Sequence, residues 1–550
     1  MAREDTDQVL LYRREGACFA KFDIGAYGWP AVIEGTATFS MLAGDPILQV
    51  GGSQERNRAE DLSRIATAFS ASQEDALLGT ATGAFCGAHY TESSGTLALI
   101  ADKLAVRPLY YFESSDYVVF ASALRILEGI AEVPKRMDIQ GVTEISVFGF
   151  PQAARTPFRD VRLVDAGQVL YITPSTSKAV RYWSWDSIPE QSGTEDDHAS
   201  RIYEAFSSAV ERRLGSDRTV VAFISGGLDS RSVIGELHKR GVRLHTVNFA
   251  LAEEQDYVLA KSLAESLGTI HQSASDLQML RPISMRLSRL LAESEEFKRV
   301  PPEHIRLVWG GEGGSVGLGH VHVAPVLVEH MRAGRVDEAI REYLRREDFR
   351  VTGIVRDQSK WEENCISAIR EHLLALPCKD PGRSFYLFLM LTDQKRHLAS
   401  HYEEIDRHKV EMHIPFYDSE FLSVVISTPL DFFLRHRIYN KMLRFFPDAI
   451  ARVPWQAYPG HEPCPVPPPP GLSYQWDPKY TKKLLDLEKH GRIKRGTALL
   501  KGGAFPDALL DRTKFSVALL AYKTGVRDYA YLVHVAEIYS RYWSICEGSS

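Results

Sequence analysis

The sequence predicts an α/β protein in which a strand-rich first domain precedes a doubly wound parallel sheet with helical additions. Short β-type runs punctuated by Gly, Asp and Ser fill residues 1–185, a pattern typical of stacked antiparallel sheets with a few helices. Residues 186–197, DSIPEQSGTEDD, are polar and contain Pro and Gly, which indicates a linker. From residue 198 short apolar runs alternate with glycine turns and helical periodicity, so we expect a second domain over 198–550.

Strands are expected in the first domain where apolar residues cluster between polar turns. Two such turns are ESSG at 92–95 and ESSD at 113–116. The predicted strands are Gln8–Tyr12, Leu97–Ile100, Tyr117–Ala121 and Gln168–Tyr171.

The second domain begins with strands and helices in alternation. The run TVVAFI at 219–224 is nearly continuous in apolar residues, as in a buried parallel strand. A doubly wound parallel sheet binds its ligands at the carboxyl ends of the strands. The predicted order is helix His198–Leu214, strand Thr219–Ile224, helix Asp229–Arg240, strand Val242–Phe249, helix Glu254–Leu267 and strand His304–Trp309.

The rest of the second domain is predicted to be largely helical, with one long interruption. Residues 325–450 show helical patterns, whereas the prolines of 454–470, PWQAYPGHEPCPVPPPP, exclude a helix there. Long loops of this kind often belong to active sites. Residues 479–501 are locally basic, which fits either a solvated helical face or a clamp for a polyanion or acidic peptide.

Composition excludes several classes of protein. Lys and Arg total 65 against 71 Asp and Glu, a net charge of -6, so we expect no nucleic-acid partner. The six cysteines are scattered without a C-x-x-C pair, which indicates reduced thiols in a cytoplasmic protein. The polar N-terminus lacks the apolar region of a signal peptide, and no stretch of 18 apolar residues predicts a membrane span.

The most informative motif is SGGLDS at 225–230, which follows an apolar run and opens a predicted helix. Its two glycines let the backbone approach a ligand closely, and the helix N-terminus presents free N–H groups and a positive dipole end. Ser225 and Ser230 add hydroxyl donors, so the segment suits a pyrophosphate. Asp229 would repel phosphates without a cation, which implies Mg²⁺ between carboxylate and phosphate. The lysine of the G-x-x-x-x-G-K-[ST] phosphate loop is absent.

Together with further segments, this motif resembles the asparagine synthetase family, whose members activate a substrate as its adenylate. The resemblance extends over roughly residues 80–450 and implies a glutaminase-like, class II amidotransferase-type α+β sandwich followed by an ATP-pyrophosphatase synthetase domain. The segments that carry it are LIADKLAVRPLYYFESSDYVVFASALRIL (99–127), VFGFPQAARTPFRDVRLVDAGQVL (147–170), Phe249–Ala250 with Glu254–Asp256, and EMHIPFYD (411–418).

The resemblance assigns roles to residues that match the family motifs. Glu312 falls on the glutamate that handles the incoming amine, and a carboxylate between glycines at a strand end is well placed to accept its proton. EMHIPFYD adds Glu411 to the catalytic candidates, and Asp229 with Ser315 are the candidate metal ligands. The candidate nucleotide-binding residues are Ile224, Ser225, Gly226, Gly227, Leu228, Asp229, Ser230, Phe249, Gly310 and Gly311.

Two departures from the family concern the nucleophile and the metal. Class II amidotransferases use an N-terminal cysteine, whereas Met1 here is followed by Ala2 and Cys18 is internal. We therefore expect the first domain to keep the glutaminase fold without glutaminase activity. Ser315 stands where the family has a second metal-binding Asp, and a neutral hydroxyl is a weak Mg²⁺ ligand.

A third departure is the lysine that the family carries after its "lPxxixxR" helix. FFPDAIARVPWQAYPGHEP has Arg452 but no lysine at that position, and Lys441 matches only a preceding helical lysine. Arg452 could supply the positive charge through its guanidinium, so it joins the catalytic candidates. The proline-rich loop with His461 and Glu462 occupies the stretch, and we expect this loop to face the substrate.

These features predict an ATP- and Mg²⁺-dependent ligase that forms an acyl-adenylate from a small-molecule or peptide carboxylate, releases pyrophosphate, and makes an amide with ammonia or an amine. An intramolecular reaction, as in the β-lactam synthetases and lasso-peptide cyclases that resemble this chain, is an alternative. Glu312 favours the asparagine-synthetase type, since β-lactam synthetases carry a tyrosine there. A non-catalytic nucleotide-binding homologue is the competing interpretation. The resemblance allows a homodimer, and no membrane partner is expected.

Overall fold

The computed structural model describes residues 9–48, 57–273, 306–502 and 505–547. Parts of three sequence predictions lie outside these ranges. They are the first residue of the predicted strand Gln8–Tyr12, residues 304–305 of the predicted strand His304–Trp309, and Met1 with Ala2. Within them, no helix combines the length and the apolarity needed to cross a membrane.

The chain before residue 182 forms antiparallel sheets, as predicted. Strands β3, β4, β5, β6, β10 and β11 make a six-stranded sheet in the order β11-β10-β6-β5-β4-β3, β1 pairs with β2, and β8-β7-β9 form a third sheet. Their bounds are β1 Leu10–Arg14, β2 Ala17–Lys21, β3 Val32–Glu34, β4 Thr38–Gly44, β5 Phe85–Thr91, β6 Thr96–Ala101, β7 Tyr110–Glu113, β8 Val118–Ala121, β9 Val161–Leu163, β10 Gln168–Ile172 and β11 Ser177–Arg181.

Two helices cover one face of the six-stranded sheet. Helix α1 (Arg58–Ala71) begins where the Asn57 side chain accepts the Ala59 N–H, and α2 spans Glu74–Leu78. An apolar core, the main favourable term in folding, forms between helices and sheet. Its members include Leu42, Leu62, Ile65, Leu78, Phe85, Ile100 and Val169.

A five-stranded parallel sheet follows, as the alternating pattern predicted. The strand order β14-β13-β12-β15-β16 places the first strand of this sheet, β12, at its centre. The order reverses between β12 and β15, and at such a point parallel sheets open a ligand crevice at their carboxyl edge. The bounds are β12 Thr219–Phe223, β13 Arg243–Asn248, β14 Ile270–Ser273, β15 Leu307–Trp309 and β16 Glu411–His413.

The helices between these strands lie close to their predicted positions. Helix α5 (Glu195–Leu214) begins three residues before the predicted start because Thr194 and Asp197 form a capping box. Helix α6 (Leu228–Lys239) follows β12, and α7 (Gln255–Leu267) follows β13.

The remaining helices include the predicted helical stretch 325–450 and the basic stretch 479–501, while 454–470 is non-helical as predicted. One strand, β16, interrupts the helical stretch. The bounds are α3 Leu124–Glu128, α4 Ile139–Phe148, α8 Pro325–Arg332, α9 Val336–Arg346, α10 Gln358–Leu374, α11 Pro381–Leu391, α12 Asp393–Glu403, α13 Ile405–His408, α14 Ser419–Ser427, α15 Arg437–Met442, α16 Asp448–Arg452, α17 Pro478–Lys501, α18 Arg512–Thr524 and α19 Ala530–Glu547.

The fold divides into two compact units, each built from several chain segments. One comprises Met1–Leu109, Ala166–Val323 and His397–Gln475, and the other Tyr110–Asp165, Ala324–Arg396 and Trp476–Ser550. Both units therefore draw residues from both sides of the predicted linker 186–197, because the segment after Leu109 packs with late helices. Every residue of the candidate site belongs to the first unit.

Candidate active site

The first glycine loop connects β12 to α6 at the centre of the parallel sheet. Two of its own N–H groups already have partners within the protein. Ser225 N–H donates to the Ser230 hydroxyl at 2.9 Å, and Gly226 N–H donates to Asp256 at 2.7 Å. Gly227 occupies the N-cap of α6, and no side chain caps that helix. The donors left for an anion are therefore the first-turn N–H groups of α6, which begins at Leu228.

The loop is fixed to the next strand by an asparagine that the sequence analysis did not select. Asn248 donates from Nδ2 to the Ile224 carbonyl at 2.8 Å and to Asp256 at 3.0 Å. Ile224 N–H donates to the Val247 carbonyl at 2.9 Å. Phe249, another of the candidate nucleotide-binding residues, is buried directly after β13.

The second glycine loop, 310–314, follows β15 and packs tightly on the first. A Cβ added to Gly311 would lie 2.4 Å from the backbone nitrogen of Ser230, and one added to Gly314 would lie 2.5 Å from Cγ of Asp229. A Cβ on Gly310 would lie 1.8 Å from Oε2 of Glu312. Gly311 and Gly314 are therefore required by close approach between the two loops.

Asp229 is the meeting point of the two loops. Its Oδ2 accepts the Ser315 N–H at 2.9 Å and the Ser315 hydroxyl at 2.6 Å, and its Oδ1 accepts the Tyr439 hydroxyl at 2.9 Å. Burial raises the pKa of Asp229, and the bonds from Ser315 and Tyr439 partly oppose this rise. The structure brings Asp229 and Ser315 together and adds Tyr439, which sequence reasoning missed because one helical tyrosine gives no motif signal.

Glu312 holds a second carboxylate beside Asp229. Its Oε2 is buried and has no hydrogen-bond partner in the described part of the chain. Burial raises the pKa of Glu312, and the negative charge of Asp229 raises it further. A carboxylate with a raised pKa at a strand end is better suited to accept a proton than an ordinary glutamate.

The Asp229 carboxylate fits a divalent cation shared with phosphate oxygens. The described residues contain no cluster of three or more His, Cys, Asp and Glu side chains that could hold a metal. Mg²⁺ commonly uses one or two carboxylates and takes its other ligands from phosphate and water. Asp229 and Glu312 supply excess negative charge in this place, while the Ser315 hydroxyl is engaged with Asp229.

Three other side chains that the sequence analysis considered form ion pairs with residues outside the two glycine loops. Glu411, on β16, is buried in an ion pair with Arg107, whose guanidinium also stacks 4.1 Å from the Tyr402 ring centroid. Arg452 is exposed and pairs with Asp448 at 2.5 Å. Lys441 is also largely exposed and pairs with acidic residues at the start of α5.

The proline-rich segment 453–475, which we call the strap, contacts the first glycine loop. Gln456 N–H donates to the Gly226 carbonyl at 2.8 Å. Further along, the His461 ring lies 4.3 Å from that of His436, whose Nε2 would be 2.5 Å from a Cβ on Gly319. The strap therefore reaches the first glycine loop and, through His436, the segment that follows the second.

Cys18 lies on β2 within the β1–β2 hairpin, opposite Arg13. It is exposed, and its nitrogen is a backbone amide inside a strand. An amine at this cysteine is therefore not present in the described structure, although N-terminal nucleophiles rely on one.

Comparison with known proteins shows the same two parts in the same order. A glutamine amidotransferase domain model matches residues 57–183, and an asparagine synthase model matches residues 201–277. The first lies before the predicted linker and the second after it. The chain thus combines an amidotransferase-type segment with a parallel-sheet synthetase segment.

Curated relatives agree with these matches. Asparagine synthetase [glutamine-hydrolyzing] 3 of Bacillus subtilis is 27% identical over 210 residues, which cover 34% of this chain and 34% of the relative. Putative asparagine synthetase [glutamine-hydrolyzing] 2 of Methanocaldococcus jannaschii is 25% identical over 182 residues, 32% of this chain and 34% of the relative. In these segments the chain is similar to asparagine synthetases, which supports membership of that family.

These matches span about a third of the length of those relatives. Among solved structures, a glutamine phosphoribosylpyrophosphate amidotransferase from B. subtilis, complexed with ADP and GMP, aligns with 41% of this chain and 50% of its own. Its sequence identity is 15% and its TM-score 0.20, which is too low to support an argument.

Proposed function

We propose that this protein is an ATP-dependent amide-forming ligase. A substrate carboxylate attacks the α-phosphorus of ATP, forming an acyl-adenylate and releasing pyrophosphate. A nitrogen nucleophile, either ammonia or an amine, then attacks the acyl carbon and releases AMP. The overall reaction joins acid and amine with loss of one water.

The observation that carries this proposal is the position of Asp229 in the first turn of an uncapped helix. The N–H groups of that turn offer hydrogen bonds and a positive dipole end to a phosphate chain. Asp229 would hold Mg²⁺, which when bound offsets the charge of the phosphates during phosphoryl chemistry. Ser315 and Tyr439 keep the Asp229 carboxylate oriented through three hydrogen bonds.

Glu312 serves the second step. Attack by an amine on an acyl carbon produces a cationic nitrogen that must lose a proton. The buried Oε2 of Glu312, which has no partner among the described residues, is available to accept that proton. Burial and the charge of Asp229 raise the pKa of Glu312, which makes its carboxylate a stronger base toward that proton.

The nitrogen is proposed to arrive without glutamine hydrolysis by this chain. The support is the position of Cys18 within a hairpin strand, where the cysteine nitrogen forms part of a peptide bond. Glu312 favours an external amine or ammonia of the asparagine-synthetase type.

The test is incubation of the purified protein with ATP, Mg²⁺ and a metabolite fraction from cells, followed by mass spectrometry. We expect AMP, pyrophosphate and a product lighter by one water than the acid and amine combined. Asp229→Asn should reduce AMP formation by about a hundredfold or more, since it removes the charge at the phosphate site. Formation of ADP in place of AMP, or wild-type AMP formation by a folded Asp229→Asn, would contradict the proposal.

A further inference from the structure

We propose that Arg231 is a positioning residue that locks the strap onto the first glycine loop, in the region where the family's lysine is missing. Any role of Arg231 in catalysis rests on the proposed function. The lock itself concerns the order of the strap in the free and in the nucleotide-bound protein.

Arg231 lies on α6, two residues after Asp229, and is fully buried at 0% exposure. Its Nη1 donates to the Ile450 and Val453 carbonyls at 2.7 and 2.5 Å. Its Nη2 donates to the Pro454 carbonyl at 2.7 Å. One guanidinium therefore holds the end of α16 and the first two residues of the strap.

The charge of Arg231 is not neutralised by an acid. In the described part of the chain its side chain forms no salt bridge, and its Nε is buried without a partner. Burial lowers the pKa of Arg231 to about 10, which leaves the group protonated at neutral pH. Burying an unpaired cation is costly, and packing alone would be served by an apolar side chain. The fork of a guanidinium, which can bind three carbonyls at once, explains why an arginine is needed.

The strap passes directly from this clamp to the glycine loop. Trp455 is buried at 3% exposure, with the Arg231 guanidinium 5.7 Å from its ring centroid. The next residue, Gln456, donates its N–H to the Gly226 carbonyl at 2.8 Å. Arg231 and Gly226 thus fix the strap at points two residues apart, one on α6 and one on the loop that precedes it.

The far end of the strap is attached separately. Ser473 N–H donates to the Glu253 carbonyl at 3.1 Å, and Gln255 N–H donates to the Ser473 carbonyl at 2.9 Å, both after β13. The strap therefore runs along the carboxyl edge of the sheet from β12 to β13, the edge where parallel sheets bind nucleotides. Loss of the Arg231 clamp should free the near end while the far end stays in place.

The experiment compares Arg231→Met and Arg231→Lys with wild type by hydrogen–deuterium exchange of strap peptides. Arg240→Met, at the other end of α6, is the matched control because Arg240 pairs with Glu236 and Glu211. We expect exchange over 453–458 to rise about tenfold or more in Arg231→Met, and less in Arg231→Lys, which keeps the charge but not the fork. Arg240→Met should match wild type.

A second pair of variants tests the lock from the strap side, and stays informative if Arg231→Met does not fold. Gln456→Pro removes the N–H that binds Gly226, whereas Gln456→Ala keeps it. Exchange over the residues flanking 456 should rise only in the proline variant. Unchanged exchange in folded Arg231→Met, or equal exchange in the two Gln456 variants, would overturn the lock.

If Arg231 positions the site as well as stabilising the strap, its replacement must also change the affinity for the nucleotide. Binding of the unreactive α,β-methylene-ATP, measured by calorimetry, should weaken about tenfold in Arg231→Met at a temperature where the variant remains folded, with partial recovery in Arg231→Lys. Unchanged nucleotide affinity with raised strap exchange would overturn the positioning role. Because neither measurement needs turnover, a failure to find ligase activity would refute the proposed function alone.

Discussion

The Glu312 carboxylate is held in surroundings that favour its neutral form. Burial and the charge of Asp229 raise its pKa above the ordinary value of 4.5. Between the ordinary and the raised pKa, the folded protein binds more protons at this site than the unfolded chain. The contribution of Glu312 to the free energy of unfolding therefore falls as pH rises through this window.

Glu312→Gln should consequently stabilise the protein at pH 8, by about 1 kcal/mol, and should lose that advantage below the ordinary glutamate pKa. The same variant should keep ATP–pyrophosphate exchange but lose amide product. Urea unfolding at pH 4 and pH 8, with exposed Glu113→Gln as control, measures the first effect. A variant that is less stable than wild type at pH 8, or that forms product normally, would refute this account.

Motif reasoning could locate Asp229, Ser315 and Glu312 because each occupies a fixed place in a glycine-rich loop. It could not locate Tyr439 or Arg231, whose contacts depend on how distant helices pack. It also could not foresee that the amides of the first glycine loop are internally satisfied, since Asp256 reaches Gly226 from another helix.

At the scale of elements, the β1–β2 hairpin is the feature that bears on whether this chain hydrolyses glutamine. Cys18→Ala should leave glutamate release from glutamine unchanged at background level, because the cysteine amide is part of a strand. A coupled glutamate assay on the intact protein measures this. Strong glutamate release that disappears in Cys18→Ala would show that Cys18 acts as a nucleophile after all.

The strap is the second element with a testable role. The His461 ring lies 4.3 Å from the His436 ring, several residues along the strap from the contact with Gly226. His461 and Tyr458 are both partly exposed. His461→Ala should therefore lower product formation several-fold while the affinity for α,β-methylene-ATP is kept. Exposed His490→Ala, on α17, is the control. Wild-type product formation by His461→Ala would remove His461 from the substrate side of the site.

Element boundaries show where sequence patterns lose resolution. The strand β12 and helix α7 lie within one residue of their predicted bounds, because apolar patterns define both elements and a glycine, Gly226 or Gly268, follows soon after each. Strand β16 was missed because three residues, Glu411–His413, are too few to show alternation. It exists through pairing with β15, which is a contact between distant parts of the chain.

Across the molecule, the first unit joins residues from both family segments. Arg107 belongs to the segment matched by the amidotransferase model, and Glu411 begins β16 of the parallel sheet. Their side chains form a buried ion pair, and a Cβ on Gly44 would lie 2.3 Å from Nε of Arg107. This tight packing provides one of the charged contacts that link the two parts of the unit, and the sequence did not reveal it.

Removing one partner of the Arg107–Glu411 ion pair should destabilise the unit more than removing both partners. Arg107→Met and Glu411→Gln should each lower the free energy of unfolding by about 3–5 kcal/mol, because each variant leaves the other side chain as a buried charge without its partner. The double variant Arg107→Met/Glu411→Gln removes both charges at once, so its loss should be well below the sum of the single losses. Denaturant unfolding of the four proteins gives the coupling energy. Additive losses would mean that the two side chains act independently, and that the parallel sheet is held to the amidotransferase-type segment by other contacts.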